Sequence, residues 1–259
     1  MTKTRAAPIL GSSVLVPGPN RFVFGLIDVK TGVPVKDVTQ VDAHYYKLSE
    51  TGDTGTKIND AQAIYRSEGL PLGVCVTRTE FTQPGAWGAL LIVRPRGAAP
   101  YAVQLPFRVV ADSPVPRVGQ AAPRSRNLIG RDDPTLATID SARPHDGMHE
   151  LTIADAVQSR KPTVILFATP GFCETATCGP DLQVAQALQA RYGDRANFIH
   201  IETPSNAAAP QGQRPTMDEW QFTSEPWLIL VDRDGVIAER FEGGLTVAEV
   251  EPALQKVLE

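Results

Sequence analysis

The sequence predicts an all-β sandwich followed by an α/β unit with a mixed sheet. Three observations carry that prediction. Short alternating runs separated by turn clusters fill the first half, with no helical period among them. The second half opens on a continuous apolar run and continues in the order helix, strand, short helix, strand, strand, helix. The charge also changes sign: of 25 Lys+Arg and 29 Asp+Glu, residues 1–132 hold 16 and 10, leaving 9 and 19 for residues 133–259. At about 100–200 residues per domain, 259 residues fit two.

Arg21–Asp28 alternates, with Phe22, Phe24 and Leu26 on one face, as a half-buried strand does. Val38–Lys47, Ala61–Arg66, Gly73–Phe81, Trp87–Arg94 and Tyr101–Val110 read as further strands. The turn clusters Ser49–Asp60, Gln83-Pro84-Gly85 and Pro95–Pro100 separate them. Cys75 stands alone in this half and reads as a small buried hydrophobe. Residues 10–112 are assigned to the β-sandwich. Residues 113–132, with Pro114, Pro116, Pro123 and several arginines, read as a semi-extended linker. Residues 133–259 form the α/β unit.

Pro162–Ala168 reads as a strand buried on both faces, and Asp181–Tyr192 as an amphipathic helix. Asn197–Glu202, Trp227–Asp232 and Val236–Phe241 read as strands, the last two joined by an Arg233-Asp234-Gly235 hairpin turn. Thr246–Leu258 closes the chain as a helix with Thr246 at its N-cap.

Three cysteines are too few for a disulfide scaffold. Cys173 and Cys178 lie five apart between the buried strand and its helix, at the sheet edge where α/β proteins place their sites. Five residues of regular helix rise about 7.5 Å, too far for a disulfide, whose Cα atoms stand about 4.4–6.8 Å apart. Pro180 favours a helix starting near Gly179-Pro180. Cys178 then sits at the helix N-terminus, and Cys173 on the loop before it can fold back. The positive end of the helix dipole stabilises a thiolate there. Cys178 gains most in that register, and Cys173 if the helix starts at Glu174; the sequence leaves both open. A redox pair, a static disulfide and two unrelated thiols are the competing readings.

Other candidates read as structural. His145 and His149 are four apart, but Pro144 and Gly147 disfavour a helix, so they read as a solvated loop. His200 reads as a satisfied strand histidine, and Trp220 and Trp227 as core residues that could alternatively line a groove. No metal site or cofactor is expected. No Walker loop, dinucleotide fingerprint, catalytic triad or basic–aromatic surface occurs. No apolar run reaches the about 18–20 residues of a membrane span. Lys3 and Arg5 open the chain, but Gly11, Ser12 and Ser13 interrupt the apolar run a secretory signal needs.

The segment Phe167-Ala168-Thr169-Pro170, then Cys173, then Cys178-Gly179-Pro180, resembles the active-site region of the thioredoxin superfamily. Ser224-Glu225-Pro226-Trp227-Leu228 looks like the family's cis-proline region. The resemblance covers roughly residues 140–259. It implies that Pro226 is cis and faces the cysteines, with Glu225, Trp227 and Phe172 as neighbouring substrate contacts. The pair departs from the family's Cys-x-x-Cys; its spacing is similar to one peroxiredoxin subgroup, with one residue inserted before Cys173. The whole arrangement resembles bacterial envelope proteins that join an immunoglobulin-like β domain to a thioredoxin-like domain. That likeness implies an extracytoplasmic thiol–disulfide oxidoreductase acting on protein thiols or disulfides, with catalytic Cys173 and Cys178 and a possible protein partner for the β domain. The alternatives are a thiol peroxidase and a non-catalytic scaffold with a structural disulfide.

Overall fold

Seven strands build the first of two compact units, which span residues 1–113 and 114–259. The computed structural model describes residues 5–52, 54–173, 176–209 and 211–259; Lys3 lies outside them, as does the helix start considered at Glu174. The strands are β1 (Ala6–Leu10), β2 (Gly18–Asp28), β3 (Val38–Leu48), β4 (Gly55–Arg66), β5 (Val74–Phe81), β6 (Gly85–Pro95) and β7 (Tyr101–Val109). They form one antiparallel sheet in the order β1-β2-β5-β4-β3-β6-β7. Alternation puts Phe22, Phe24, Tyr45, Phe81, Trp87 and Phe107 on its inner face. Their rings meet edge-on or tilted, with Phe22 5.3 Å from Tyr45 and Phe81 5.0 Å from Trp87.

This differs from the two separate sheets of the expected sandwich. β4 pairs with β3 along most of its length and with β5 only through Ile64–Arg66. The sheet therefore bends around one core, and β1 comes up against β7, so the architecture is nearly barrel-like. The turn assigned to Ser49–Asp60 is shorter than expected, because β4 already begins at Gly55. Strand β1 has no counterpart in the sequence reading. It is five residues long and contains Pro8, which an edge strand tolerates.

The second unit contains α1 (Ile153–Gln158), β8 (Thr163–Ala168), α2 (Cys178–Tyr192), β9 (Asn197–Glu202), α3 (Pro215–Glu219), β10 (Trp227–Val231), β11 (Ile237–Glu242) and α4 (Val247–Leu258). Its sheet runs β11-β10-β8-β9. β8 and β9 are parallel, while β10 is antiparallel to both β8 and β11. This is the mixed sheet with an antiparallel last pair that the apolar runs and the Asp-Gly turn predict. β8 is buried throughout, as a central strand covered on both faces must be. Leu182, Ala185 and Leu188 of α2 pack on one side of the sheet with Leu166, Leu228 and Leu254.

Residues 113–132 are not a free linker. From Pro114 the chain belongs to the second unit. Gly119 N–H donates to Ile237 O, Ile237 N–H to Gln120 O, and Ala122 N–H to Gly235 O, at 2.8–2.9 Å. Val115, Ser125 and Ile129 are buried there, and Ser125 Oγ accepts the Trp220 indole N–H at 3.2 Å. Residues 119–122 instead satisfy their backbone along β11, as an added strand does.

Candidate active site

β8 runs into the Cys173 loop, and α2 begins at Cys178. Cys173 and Cys178 are joined by a disulfide with a Cα separation of 5.8 Å. Cys178 occupies the first helical position, as Pro180 favours, and is wholly buried, whereas Cys173 is half-buried on the loop. Ala176, just before the helix, holds φ at 58°, a left-handed conformation uncommon outside glycine. The Cys178 backbone N–H donates to Cys173 Sγ at 3.2 Å. This N–H and the positive dipole end of α2 therefore act on the more exposed sulfur.

Hydrogen bonds hold the loop from both sides. Gly171 N–H donates to Ser141 Oγ at 2.9 Å, and Ser141 N–H and Oγ–H both donate to the Glu202 carboxylate, at 2.8 and 2.9 Å. Burial pushes the Glu202 carboxyl above its ordinary value, against the opposing influence of His200 and Ser141. A Cβ on Gly171 would stand 2.9 Å from Ser141 Cβ and O, so this close approach requires glycine. Thr169 and Thr203 hydroxyls donate to Glu225 Oε2 at 2.7 and 2.6 Å, tying the ends of β8 and β9 to the residue before Pro226.

The Glu225–Pro226 bond is cis, and so is Arg143–Pro144, which the sequence did not signal. Glu225 is half-buried and Pro226 buried. Phe172 is half exposed beside Cys173. Trp227 departs from the expected substrate contact. It is 2% exposed, stacks on the Phe222 ring at 4.8 Å, and donates its indole N–H to Ser224 Oγ. A ring this buried offers no surface to a substrate, so Trp227 is a core residue. A groove of about 810 Å3 lies beside the loop, lined among others by Arg143, Pro144, Pro170, Phe172, Gly179 and Gln183.

The histidine segment also departs from expectation. His149 is buried, as are Asp140, Asp146 and His200. His200 Nδ1 lies 2.5 Å from Asp146 Oδ2, and its Nε2 lies 3.0 Å from Ala168 O. Burial alone would raise the Asp146 carboxyl; the two imidazoles outweigh it and hold Asp146 below the usual carboxylate range. Burial opposes charge on His149 too, yet Asp140 and Asp146 raise its pKa to about 9. His145 remains half exposed, 2.9 Å from Asp140 Oδ2. The cluster had one sequence signal: His200 and Glu202 share a face of an otherwise apolar strand.

Cys75 is buried in the β unit, and burial pushes its thiol up to about 12. Among the described residues no helix is long and apolar enough to cross a membrane.

No protein-family model and no curated protein sequence matches the chain. Among solved structures it is similar to a thioredoxin-like protein in the oxidised form, at 15% identity and a TM-score of 0.36, over 53% of this chain and 95% of that one. A DUF4426 family protein from Pseudomonas aeruginosa is 13% identical, with a TM-score of 0.25 over 36% of this chain and 76% of its own. A putative superoxide reductase from Thermotoga maritima is 10% identical, with a TM-score of 0.24 over 43% of this chain and 89% of its own. All three lie below a TM-score of 0.5, so strand order and disulfide position describe the second unit better than any one likeness.

Proposed function

We propose that the chain is a thiol–disulfide oxidoreductase in which Cys173 is the nucleophile and Cys178 resolves. The observation that carries this reading is the hydrogen bond from Cys178 N–H to Cys173 Sγ at the start of α2. A donor aimed at the half-buried sulfur stabilises it as a thiolate, whether it attacks or leaves. Cys178 is wholly buried beside its disulfide partner.

In the reduced chain, the Cys173 thiolate attacks a substrate disulfide. One substrate sulfur leaves as a thiolate, and Cys173 forms a mixed disulfide with the other. Cys178 passes its proton to the departing first substrate thiolate, and its own thiolate attacks Cys173 Sγ. The second substrate thiolate leaves, and the 173–178 disulfide closes. Two electrons pass from the pair to the substrate; the reverse sequence oxidises a substrate dithiol. Phe172 and the groove beside it supply apolar and amide contacts for an extended protein substrate, and Glu225-Pro226 borders the same loop through Thr169.

A disulfide persists in an oxidising compartment, which supports an extracytoplasmic location. The β unit we read as an immunoglobulin-like domain with residues 114–259 as its thioredoxin-like companion. Support comes from the strand order, which within its one sheet repeats the neighbour orders of that fold's two sheets, β1-β2-β5-β4 and β3-β6-β7, joined here by the β3–β4 pairing. A partner-binding role for the β unit belongs to the same proposal.

The test is a redox titration with insulin reduction. Wild type should cycle at a potential above about −300 mV, the range below which structural disulfides fall. Cys173→Ser should abolish turnover, and Cys178→Ser should accumulate a mixed disulfide through Cys173. A pair that no physiological thiol reduces overturns the reading in favour of a structural disulfide. Peroxide consumption without insulin reduction overturns it in favour of a peroxidase.

A further inference from the structure

Asp140, Asp146, His149 and His200 converge in the second unit, apart from the disulfide. One ligand atom from each lies within 4.8 Å of the others, and all four residues are buried. His149 is 4% exposed, yet its Nε2 makes no hydrogen bond. That nitrogen faces Asp146 Oδ1 at 3.4 Å and Asp140 Oδ2 at 3.6 Å. Both separations exceed the about 2.7–3.2 Å of an N–H···O bond. They lie near the about 3.3–3.4 Å between neighbouring ligands of a tetrahedral zinc, while His200 Nδ1 and Asp146 Oδ2 stand closer, at 2.5 Å, and would separate to admit the ion.

The surrounding groups orient the four side chains for such an ion. Ala168 O can only accept, so His200 Nε2 carries a proton and Nδ1 is the inward nitrogen. Metal-bound histidines generally donate their second N–H to a carbonyl or carboxylate in this way. Asp140 Oδ1 accepts from Ala142 N–H and Asp146 Oδ1 from Met148 N–H, both at 2.8 Å, which fixes the two carboxylates. Two carboxylates, two neutral imidazoles and one divalent cation sum to zero charge, the condition under which such a cluster is best buried.

We propose that Asp140, Asp146, His149 and His200 bind one divalent transition-metal ion, zinc by ligand type and geometry. Four protein ligands close the coordination sphere, so the ion is structural. On binding, the imidazole protons on the ligating nitrogens leave to solvent. The site also braces the redox loop. Ala168 ends the strand that enters it, and Ser141, next to Asp140, accepts from Gly171. The proposal stands independently of the redox reading.

The test uses the full chain without a histidine tag, kept oxidised so that neither active-site cysteine offers a thiolate. After stripping with a chelator, the chain is loaded with zinc alone and, separately, with cobalt alone. One zinc per chain should be retained, and cobalt should give the intense visible bands of tetrahedral coordination without thiolate charge transfer. His149→Gln and Asp146→Asn should weaken zinc binding by about 100-fold. His44→Gln, in the exposed pair with Asp60 on the β unit, should not change it. Failure to retain zinc overturns the proposal. So does an affinity that a folded His149→Gln chain shares with wild type. Should that variant not fold, the wild-type cobalt spectrum decides: weak octahedral bands overturn the site, and tetrahedral bands support it.

Discussion

The backbone N–H of Cys178 donates to Cys173 Sγ across 3.2 Å, so one helix start serves a sulfur that is not part of the helix. The five-residue spacing has this consequence: Cys178 is the first helical residue, and the loop returns Cys173 to its backbone N–H. In the reduced chain the two thiols should therefore behave differently. Iodoacetamide should alkylate Cys173 first, with a midpoint below the about 8.5 of an unperturbed thiol. Peptide mapping against pH checks this, and equal labelling of both cysteines would contradict it.

Thr169→Val should lower stability by about 1–2 kcal/mol, because it removes one of the two hydroxyls that Glu225 Oε2 accepts while keeping the side-chain shape. Denaturant midpoints of oxidised chains measure it. Glu225→Gln retains an acceptor oxygen and should cost less.

Gly171→Ala should cost about 1–3 kcal/mol, since the added carbon stands 2.9 Å from Ser141 O and the loop has to retreat. The Gly171–Ser141 hydrogen bond should weaken with it, seen as faster amide exchange at residue 171. An unchanged exchange rate would show that the loop absorbs the methyl elsewhere.

Cys75 sets an alkaline limit on the β unit. Burial pushes its thiol from an ordinary 9.0 up to about 12, so between those values the folded chain holds a proton that the unfolded chain has lost. Its contribution to stability is complete below pH 9 and falls by about 1.4 kcal/mol per pH unit up to about pH 12. Tyr45, raised by burial, falls in the same direction at higher pH. Unfolding free energies of wild type and Cys75→Ala across that range should converge as pH rises.

Much of the fold was legible where local pattern and burial agree. The apolar run at 163–168, the helix before Tyr192 and the Asp-Gly hairpin each carry their own period or turn chemistry. The cysteine pair was legible because Pro180 restricts where α2 can begin. The His145–His149 segment reads as a solvated loop because Pro144 and Gly147 exclude a helix; His145 is exposed there, but Asp146 and His149 are buried. A non-helical segment can still be buried when side chains satisfy its backbone. Asp140 accepts from the N–H of Ala142 and of Asp146, and Asp146 from that of Met148. Such contacts are set by tertiary packing, which no period in the sequence reports. Trp227 was ambiguous for a related reason: Phe222, which covers its face, reaches it through the irregular chain after α3.

Residues 119–122 have a practical meaning for dissecting the protein. They occupy backbone groups from Gly235 to Ile237 at the outer edge of β11. Exposed edge groups are where extended chains from other molecules add and where aggregation starts. A fragment cut at residue 133, where the sequence places the start of the α/β unit, would bare that edge and withdraw buried Val115, Ser125 and Ile129. Cut at Pro114 instead, the same unit keeps its own cover.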